Sequence, residues 1–229
     1  MIILAIDTSG PACSVAVSDG SSLRYEARAI NKKTHSRSLM PMVEEALDKA
    51  GLALSDIGLI AVVAGPGSFT GVRIGVAAAQ GMARGLNVSC IAVNALEAMA
   101  RSIHCPDTVV CPIRDARAGQ VYGAAFLNGQ RLIPDTAIML NEFLNQVTAF
   151  EGRLVFLGDG VAVNQDKILG VLGIRAEFLP FHLLLPGASS AALIAYERQG
   201  EAVEPGHLMP LYLRAPQAER LREMQHGRD

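Results

Sequence analysis

The sequence has few of the features that mark a membrane protein or a nucleic-acid-binding protein. It contains no tryptophan and only 5% aromatic residues, and its 229 residues carry a formal net charge of −2. A charge so close to zero predicts no broad basic surface for nucleic acid, so any contact with RNA would be local or made through a partner. No apolar run is long enough to span a bilayer, and no charged segment precedes the first apolar residues. We therefore expect a cytoplasmic protein that contacts no membrane.

Signatures of metal-binding and nucleophilic enzymes are missing as well. The four cysteines, Cys13, Cys90, Cys105 and Cys111, form no C-x-x-C pair, and in the cytoplasm we expect them to be reduced. The five histidines show no metal-ligand spacing and stand in no nucleophile motif. The sequence thus predicts no metal site and no catalytic triad.

The chain does contain one order of elements twice: three strands, a helix, a strand, a helix, a strand and a helix. In each half the second and third strands are joined by a hairpin signal, Asp19-Gly20 in the first half and the stronger Asn128-Gly129 in the second. Strands that alternate with helices predict an α/β fold with mixed sheets and helices on both faces. We expect two tandem lobes with a cleft between them, residues 1–104 and residues 105–229, because the pattern is interrupted near residues 103–107.

Residues 65–75, with the sequence GPGSFTGVRIG, connect a predicted buried strand over 59–64 to a predicted helix over 70–84. Three interpretations are open. The helix N-terminus behind the turn could hold an anion, although the Gly-Lys-Ser/Thr ending of a nucleoside-triphosphate loop is missing. The glycines could simply permit a tight turn. The small residues of the helix could also allow another backbone to approach closely, from the same core or from a second chain.

The helix over 70–84, together with a preceding helix over 36–50, is the predicted partner surface. Each glycine inside a helix costs ~1 kcal/mol relative to alanine, so this helix needs a compensating close contact. Two methionines of the first helix are predicted to lie outside its apolar stripe, and methionine adapts well to irregular binding faces. The predicted interface residues are Met40, Met42, Gly71, Gly75, Ala78, Ala79 and Met82. The alternative is that these small residues pack only within their own lobe.

Polar turns follow the first strand of each predicted lobe, and a third polar turn precedes a later helix. A carboxylate and hydroxyls on such a turn could hold a metal-bound phosphate, but the same residue types are typical of a simple turn. We expect at most the remnant of a nucleotide site, and whether ATP or ADP binds is left open. Its candidate residues are Asp7, Thr8, Ser9, Asp115, Arg117, Gly158, Asp159 and Gly160. If the site were intact, the chain would be an actin-like ATPase or a sugar-kinase-like enzyme.

Four segments together resemble the bacterial TsaB (YeaZ) family. They are residues 3–8 (ILAIDT), the run 65–75, Asp115-Ala116-Arg117 with Val121-Tyr122, and residues 210–214 (PLYLR). The resemblance extends over essentially the whole chain. It implies two ribonuclease-H-like lobes in tandem, which is the actin/Hsp70-like ASKHA fold. It also suggests that the predicted helix over 189–197 returns from the second lobe towards the first.

The resemblance also implies a function without catalysis. TsaB proteins are scaffold subunits of the complex that transfers threonylcarbamoyl from threonylcarbamoyl-AMP to an adenosine in the tRNA anticodon loop. The implied partners are the metal-dependent transferase TsaD and the ATPase TsaE, with a homodimer when the chain is alone, only indirect contact with tRNA and no required cofactor. The positions that match the two metal-binding histidines of TsaD are Ala95 and Met99, whose side chains offer no oxygen or nitrogen ligand. Of this TsaD motif, only the glutamate between the two histidines is retained, as Glu97.

Overall fold

The computed structural model describes residues 1–31 and 33–214, which form two five-stranded sheets. The first sheet has the order β3-β2-β1-β4-β5, and its strands are β1 (Ile2–Asp7), β2 (Cys13–Asp19), β3 (Ser22–Ala29), β4 (Ile57–Gly65) and β5 (Ser89–Asn94). The second has the order β8-β7-β6-β9-β10, and its strands are β6 (Val109–Asp115), β7 (Gln120–Leu127), β8 (Gln130–Met139), β9 (Leu154–Leu157) and β10 (Ala176–Phe178).

The two sheets have the same topology. In the first, β1 pairs antiparallel with β2 and parallel with β4, so that Leu4 lies between Val17 and Ile60. In the second, β6 pairs antiparallel with β7 and parallel with β9. The predicted fold class, two tandem mixed sheets with the same order of elements, is confirmed.

Seven α-helices connect and cover the strands in the described part of the chain: α1 (His35–Ala50), α2 (Phe69–Leu86), α3 (Ala95–Arg101), α4 (Leu140–Val147), α5 (Asp159–Leu172), α6 (Phe181–Leu184) and α7 (Ser189–Glu197). Helix α1 is followed by the C-cap residue Gly51, whose φ of 68° lies in the left-handed region, where glycine is favoured. The short helix α6 is not predicted from the sequence, because one turn gives no periodic pattern. None of the helices in residues 1–31 and 33–214 is long and apolar enough to cross a membrane.

Both faces of the first sheet are buried, because successive side chains of a strand alternate between faces. Leu4 and Ile6 of β1 pack with α1 and α2, whereas Ile3 and Ala5 pack with α3 and α7. This burial explains why the central strands are continuously apolar in the sequence instead of alternating with polar residues.

Helix α7 comes late in the chain but packs on the first sheet. Two polar side chains of that sheet bind its N-terminal end. The hydroxyl of Ser14 accepts a hydrogen bond of 2.9 Å from the backbone N–H of Ala188 and donates one to the carbonyl oxygen of Ala27. The Oε1 of Glu26 accepts a 2.7 Å hydrogen bond from the N–H of Ser189. We retain the division into residues 1–104 and 105–229 as a proposal.

The second sheet is covered by α4 and α5 on one face and by α3 on the other. Phe143 of α4 and Phe156 of β9 lie in the first of these clusters and are completely buried. Leu96 and Met99 of α3 pack on the opposite face. Because Ala95 and Ala98 of α3 contact the first sheet, this helix forms part of both cores and separates the two lobes.

Candidate functional site

The candidate residues of the two lobes meet at a cleft with a cavity of about 470 Å³. The cavity is lined by the turn after β1, the turn before α2, the end of β6, the start of α5 and residues 211–214. Ser9, Asp115, Arg117 and Asp159 are among its lining residues, so the structure brings these candidates together. Parallel strands of the two sheets end at this cleft, which is the edge where open α/β sheets bind ligands.

The hydroxyl groups of the turn after β1 are used inside the lobe. Thr8 and Ser9 have no exposed surface. The hydroxyl of Thr8 donates a 2.7 Å hydrogen bond to the carbonyl oxygen of Gly71. The backbone N–H of Ser9 donates to Oδ1 of Asp7 at 2.8 Å, and the Ser9 hydroxyl donates to the same oxygen. Both hydroxyls therefore stabilise the turn through hydrogen bonds within the first lobe.

The glycines of the run 65–75 permit close packing within the lobe. A Cβ atom on Gly67 would lie 2.2 Å from the carbonyl oxygen of Ser9, and one on Gly71 would lie 2.1 Å from that of Thr8. Ser68 is the N-cap of α2, because its Oγ accepts a 3.2 Å hydrogen bond from the N–H of Gly71. Of the three interpretations of this run, close approach within the same core accounts for these glycines.

The Gly158-Asp159-Gly160 turn likewise packs closely on β6. A Cβ on Gly158 would lie 2.2 Å from the carbonyl oxygen of Ile113, and one on Gly160 would lie 3.0 Å from it. Asp159 is the only one of the three that lines the cavity among the described residues. Its Oδ2 accepts a 3.4 Å hydrogen bond from the N–H of Asp115. The two glycines thus hold α5 against the sheet, and the carboxylate faces the cleft.

Sequence analysis missed Arg114, which lies between the carboxylates of the two lobes. Its guanidinium is 3.7 Å from Oδ2 of Asp7 and 3.7 Å from Oδ1 of Asp159, and its side chain is only 5% exposed. Within the described part of the chain, the Nε of Arg114 and the Oδ1 of Asp159 have no hydrogen-bond partner. The available signal was a charged residue at the end of an apolar strand, directly before Asp115.

Residues 208–214, which we call the strap, run along α2 into the cleft. Leu208 is buried, and its carbonyl oxygen accepts a 2.9 Å hydrogen bond from Gln80. The N–H of Leu211 donates a 2.7 Å hydrogen bond to the carbonyl oxygen of Ala64. The ring of Tyr212 stacks on Phe69 with the centroids 4.8 Å apart. From the sequence we predict that the charged end of the chain, residues 219–229, is a frayed tail, and these residues lie outside the described part of the chain.

The structure corrects four of the predicted interface residues. Met42, Gly71, Gly75 and Ala79 are buried inside their own lobe. Met42 belongs to the apolar stripe of α1, since it lies three residues after Leu39. The glycines and Ala79 belong to the face of α2 that packs on the first sheet.

Of the other three predicted interface residues, Met40 is exposed, whereas Ala78 and Met82 are half-buried against the core of the first lobe. Their role at an interface stays a prediction. Three other small residues of α2 are exposed, Ala77, Gly81 and Gly85, and the exposed Arg73 and Arg84 lie on the same helix. Nothing lies within 4 Å of a Cβ atom built on either glycine.

The two positions that match the TsaD histidines are apolar and buried. Ala95 is completely buried and Met99 is nearly so. Glu97 between them is bound by the guanidinium of Arg198 and lies 3.9 Å from that of Arg131. Within residues 1–31 and 33–214, no group of three or more His, Cys, Asp or Glu side chains could hold a metal ion.

Two lobes with the same strand order and a cleft between their carboxyl-end turns define a protein of the actin-like, ASKHA class. A solved structure of the ethanolamine utilization protein EutJ from Carboxydothermus hydrogenoformans has this fold in common with the chain. The TM-score is 0.53 at 14% identity, over 84% of this chain and 89% of that one.

Closer relatives identify the family. A family model described as TsaD, tRNA N6-adenosine threonylcarbamoyltransferase, matches residues 29–221. The tRNA threonylcarbamoyladenosine biosynthesis protein TsaB of Bacillus subtilis is 35% identical over 96% of each chain. A crystal structure from Pseudomonas aeruginosa, described as similar to peptidase YEAZ, matches with a TM-score of 0.77 and 30% identity, over 93% of this chain and 99% of that one. The chain belongs to the TsaB (YeaZ) family.

Proposed function

We propose that this chain is the non-catalytic, scaffolding subunit of the system that transfers threonylcarbamoyl from threonylcarbamoyl-AMP to an adenosine in the anticodon loop of tRNA. In this role it pairs with TsaD, the subunit that carries out the transfer, and works with the ATPase TsaE. The family relationship supports the pathway, since the Bacillus subtilis relative is named for tRNA threonylcarbamoyladenosine biosynthesis. The role places the protein in the cytoplasm and in only indirect contact with tRNA.

The outward face of α2 is the observation that carries this proposal. Ala77, Gly81 and Gly85 are exposed and recur at helical spacing, with Ala78 and Met82 beside them. A helix rich in glycine costs free energy unless another backbone packs closely against it. Since nothing in the described lobe covers Gly81 or Gly85, we infer that a helix of the partner chain does so.

The neighbouring helix α1 extends the same surface. Met40 is 40% exposed, in contrast to the buried Met42. Two helices with small and adaptable side chains can form a bundle with two helices of a partner of the same fold. A specific interface of ordinary size would bury roughly 1,600 Å² in total. We expect TsaD to occupy this face in the complex and a second copy of the chain to occupy it when TsaD is missing.

The absence of catalysis in this subunit is supported by the side chains at the TsaD-like metal position. Ala95 and Met99 provide no oxygen or nitrogen ligand and lie in the apolar cores of the lobes. The carboxylate of Glu97 forms an ion pair with the guanidinium of Arg198. The protein alone is therefore expected to transfer no threonylcarbamoyl to tRNA, and addition of TsaD, TsaE and threonylcarbamoyl-AMP should give activity. Transfer at comparable rates by the isolated chain would overturn this assignment.

The interface is tested with large charged side chains on the outward face of α2. Ala77→Arg and Gly81→Arg place bulk and charge on this exposed face, where nothing within the lobe is displaced, so the fold should be retained. Ile174→Arg, at a position 99% exposed on the second lobe, is the matched control. Ala79→Arg is unsuitable, because Ala79 is buried in the core of its own lobe.

Each variant is measured in three ways: light scattering for self-association, co-purification for TsaD binding, and circular dichroism for folding. We expect Ala77→Arg and Gly81→Arg to lose both self-association and TsaD binding with unchanged circular dichroism, while Ile174→Arg keeps both. If the two α2 variants are folded and still bind TsaD, the interface lies elsewhere on the molecule.

A further inference from the structure

The cleft between the lobes has a positively charged side chain where the fold class leads one to expect a nucleotide with its divalent cation. Arg114, at the end of β6 in the second lobe, crosses to the first lobe and ends between Asp7 and Asp159. Its side chain is 95% removed from solvent, and it lies at the wall of the cavity.

The turn after β1 is shaped to accommodate this guanidinium. A Cβ atom on Gly10 would lie 2.3 Å from the Nη1 atom of Arg114 and 3.3 Å from its Cζ. A residue other than glycine at position 10 would therefore displace the guanidinium. Asp7 in turn is held by the N–H and hydroxyl of Ser9, so the carboxylate that faces Arg114 is fixed in place.

The residues of the cleft do not fit a magnesium nucleotide. A divalent cation would need the oxygens of Asp7 and Asp159, but Arg114 already lies within 4 Å of both. Two positive charges at that separation repel strongly when solvent is excluded. The hydroxyls of Thr8 and Ser9, which a phosphate group would need, are buried and bonded within the first lobe.

We infer that Arg114 is the cleft's own cation: it takes the place of a metal ion between the carboxylates of the two lobes, joins the lobes and excludes a metal–nucleotide complex. Two carboxylates that would repel each other across the cleft are each brought into an ion pair by one guanidinium. Both separations of 3.7 Å are longer than a direct hydrogen bond. In addition, Nε of Arg114 and Oδ1 of Asp159 have no hydrogen-bond partner among the described residues, so both atoms are available to ordered water.

The first test measures binding to the unmodified chain. Isothermal titration calorimetry and thermal melting are carried out with Mn²⁺ alone, with Mn²⁺ and ADP, and with Mn²⁺ and ATP. We expect no saturable heat and no shift in melting temperature. Saturable binding of Mn²⁺–ADP or Mn²⁺–ATP, accompanied by a higher melting temperature, would overturn the inference, whatever the outcome for partner binding.

The second test measures the coupling between Arg114 and Asp159. Arg114→Met and Asp159→Asn are made singly and together, and Arg153→Met removes a surface arginine that is 70% exposed and paired with Glu177. We expect each single variant in the cleft to melt at a lower temperature and Asp159→Asn to have little further effect once Arg114 is gone, while Arg153→Met melts like the unmodified chain.

Hydrogen exchange adds a readout of the connection between the lobes. We expect Arg114→Met to increase exchange in residues 7–11 and 158–164, and Arg114→Lys to restore part of the protection because it keeps the charge. Additive effects of Arg114→Met and Asp159→Asn, or unchanged melting in Arg114→Met, would show that Arg114 does not join the lobes. If Arg114→Met fails to fold, Arg114→Lys and Asp159→Asn still decide the matter, since both keep the size of the side chain.

Discussion

The hydroxyl of Thr8 binds the carbonyl oxygen of Gly71 at 2.7 Å, which ties the turn after β1 to the first turn of α2. The contact leaves no room for a side chain, because a Cβ on Gly71 would lie 2.1 Å from the carbonyl oxygen of Thr8. Gly75 faces the same residue, with a Cβ 2.5 Å from the Thr8 hydroxyl. The glycines at the start of α2 therefore serve the lobe itself, and those at its end are open to solvent.

This difference predicts opposite effects of the same substitution at two glycines. Gly71→Ala should lower the free energy of unfolding by roughly 1–3 kcal/mol, because backbone must move to make room. Gly81→Ala should raise it by about 0.5–1 kcal/mol, because alanine favours the helix and nothing lies within reach of its Cβ. Urea denaturation of the two variants measures both. Equal effects at the two positions would contradict the close contact between α2 and Thr8.

The junction between α7 and the first sheet should depend on one hydroxyl. Ser14→Ala removes the acceptor for the N–H of Ala188 and the donor to Ala27. An unsatisfied buried N–H costs roughly 1–3 kcal/mol, so the free energy of unfolding should fall by that amount. Ser21→Ala, at an exposed position, is the control and should have little effect. Faster hydrogen exchange in residues 188–192 should accompany the loss in Ser14→Ala only.

The strap should contribute to stability through Leu208 and not through its exposed neighbour. Leu208 is 1% exposed and Met209 is 65% exposed. Leu208→Ala is expected to cost about 2–5 kcal/mol, as is usual for a buried leucine, whereas Met209→Ala should change stability by less than ~0.5 kcal/mol. Chemical denaturation compares the pair directly.

Shortening the chain tests the same segment in a second way. A chain that ends at Arg214 should melt at the temperature of the full chain. A chain that ends at residue 207 should melt at a lower temperature, since it lacks Leu208 and the hydrogen bond from Leu211 to Ala64. A large loss of melting temperature in the longer of the two chains would show that the residues after Arg214 also stabilise the fold.

The cysteines should differ strongly in reactivity. Burial raises the pKa of Cys13 and of Cys90 from 9.0 to about 11, and the charge of Asp7 adds to the effect at Cys13. Burial also raises the pKa of Cys111, whereas Cys105 is partly exposed. A rise of this size lowers the thiolate fraction near neutral pH roughly a hundredfold, and the thiolate is the reactive form.

Alkylation with iodoacetamide followed by peptide mass spectrometry measures this. In the folded protein at about pH 8 we expect one modified residue, Cys105, and Cys105→Ser should abolish the rapid reaction. The reaction at Cys13 and Cys90 should accelerate as the pH is raised, because their thiolates form only near the shifted pKa. Complete modification of Cys13 in the folded chain at about pH 8 would contradict its burial.

Local sequence signals were sufficient for the order of the strands and of the α-helices other than the one-turn α6. Asn128-Gly129 predicted the hairpin between β7 and β8, and the apolar run 59–64 predicted β4. These features depend on the conformational preferences of a few neighbouring residues. The element order repeated in the two halves was then enough to predict two lobes of the same fold.

Features that depend on contacts between residues distant in the chain could not be predicted from local sequence. Met42 and Ala79 were predicted to face a partner, and they are buried because the sheet covers that side of each helix. Arg114 was not singled out, since its role depends on Asp7 and Asp159, which are far from it in the chain.

The sequence by itself determined the alternation of strands and helices, the turns and caps, and the family resemblance, because each is encoded in contiguous residues. Only the tertiary structure decided which glycines of α2 face Thr8 and which face solvent, since small residues lie on both sides of this helix. It also decided that Arg114 stands between the lobes. Both outcomes depend on long-range packing and charge pairing, which no local pattern records.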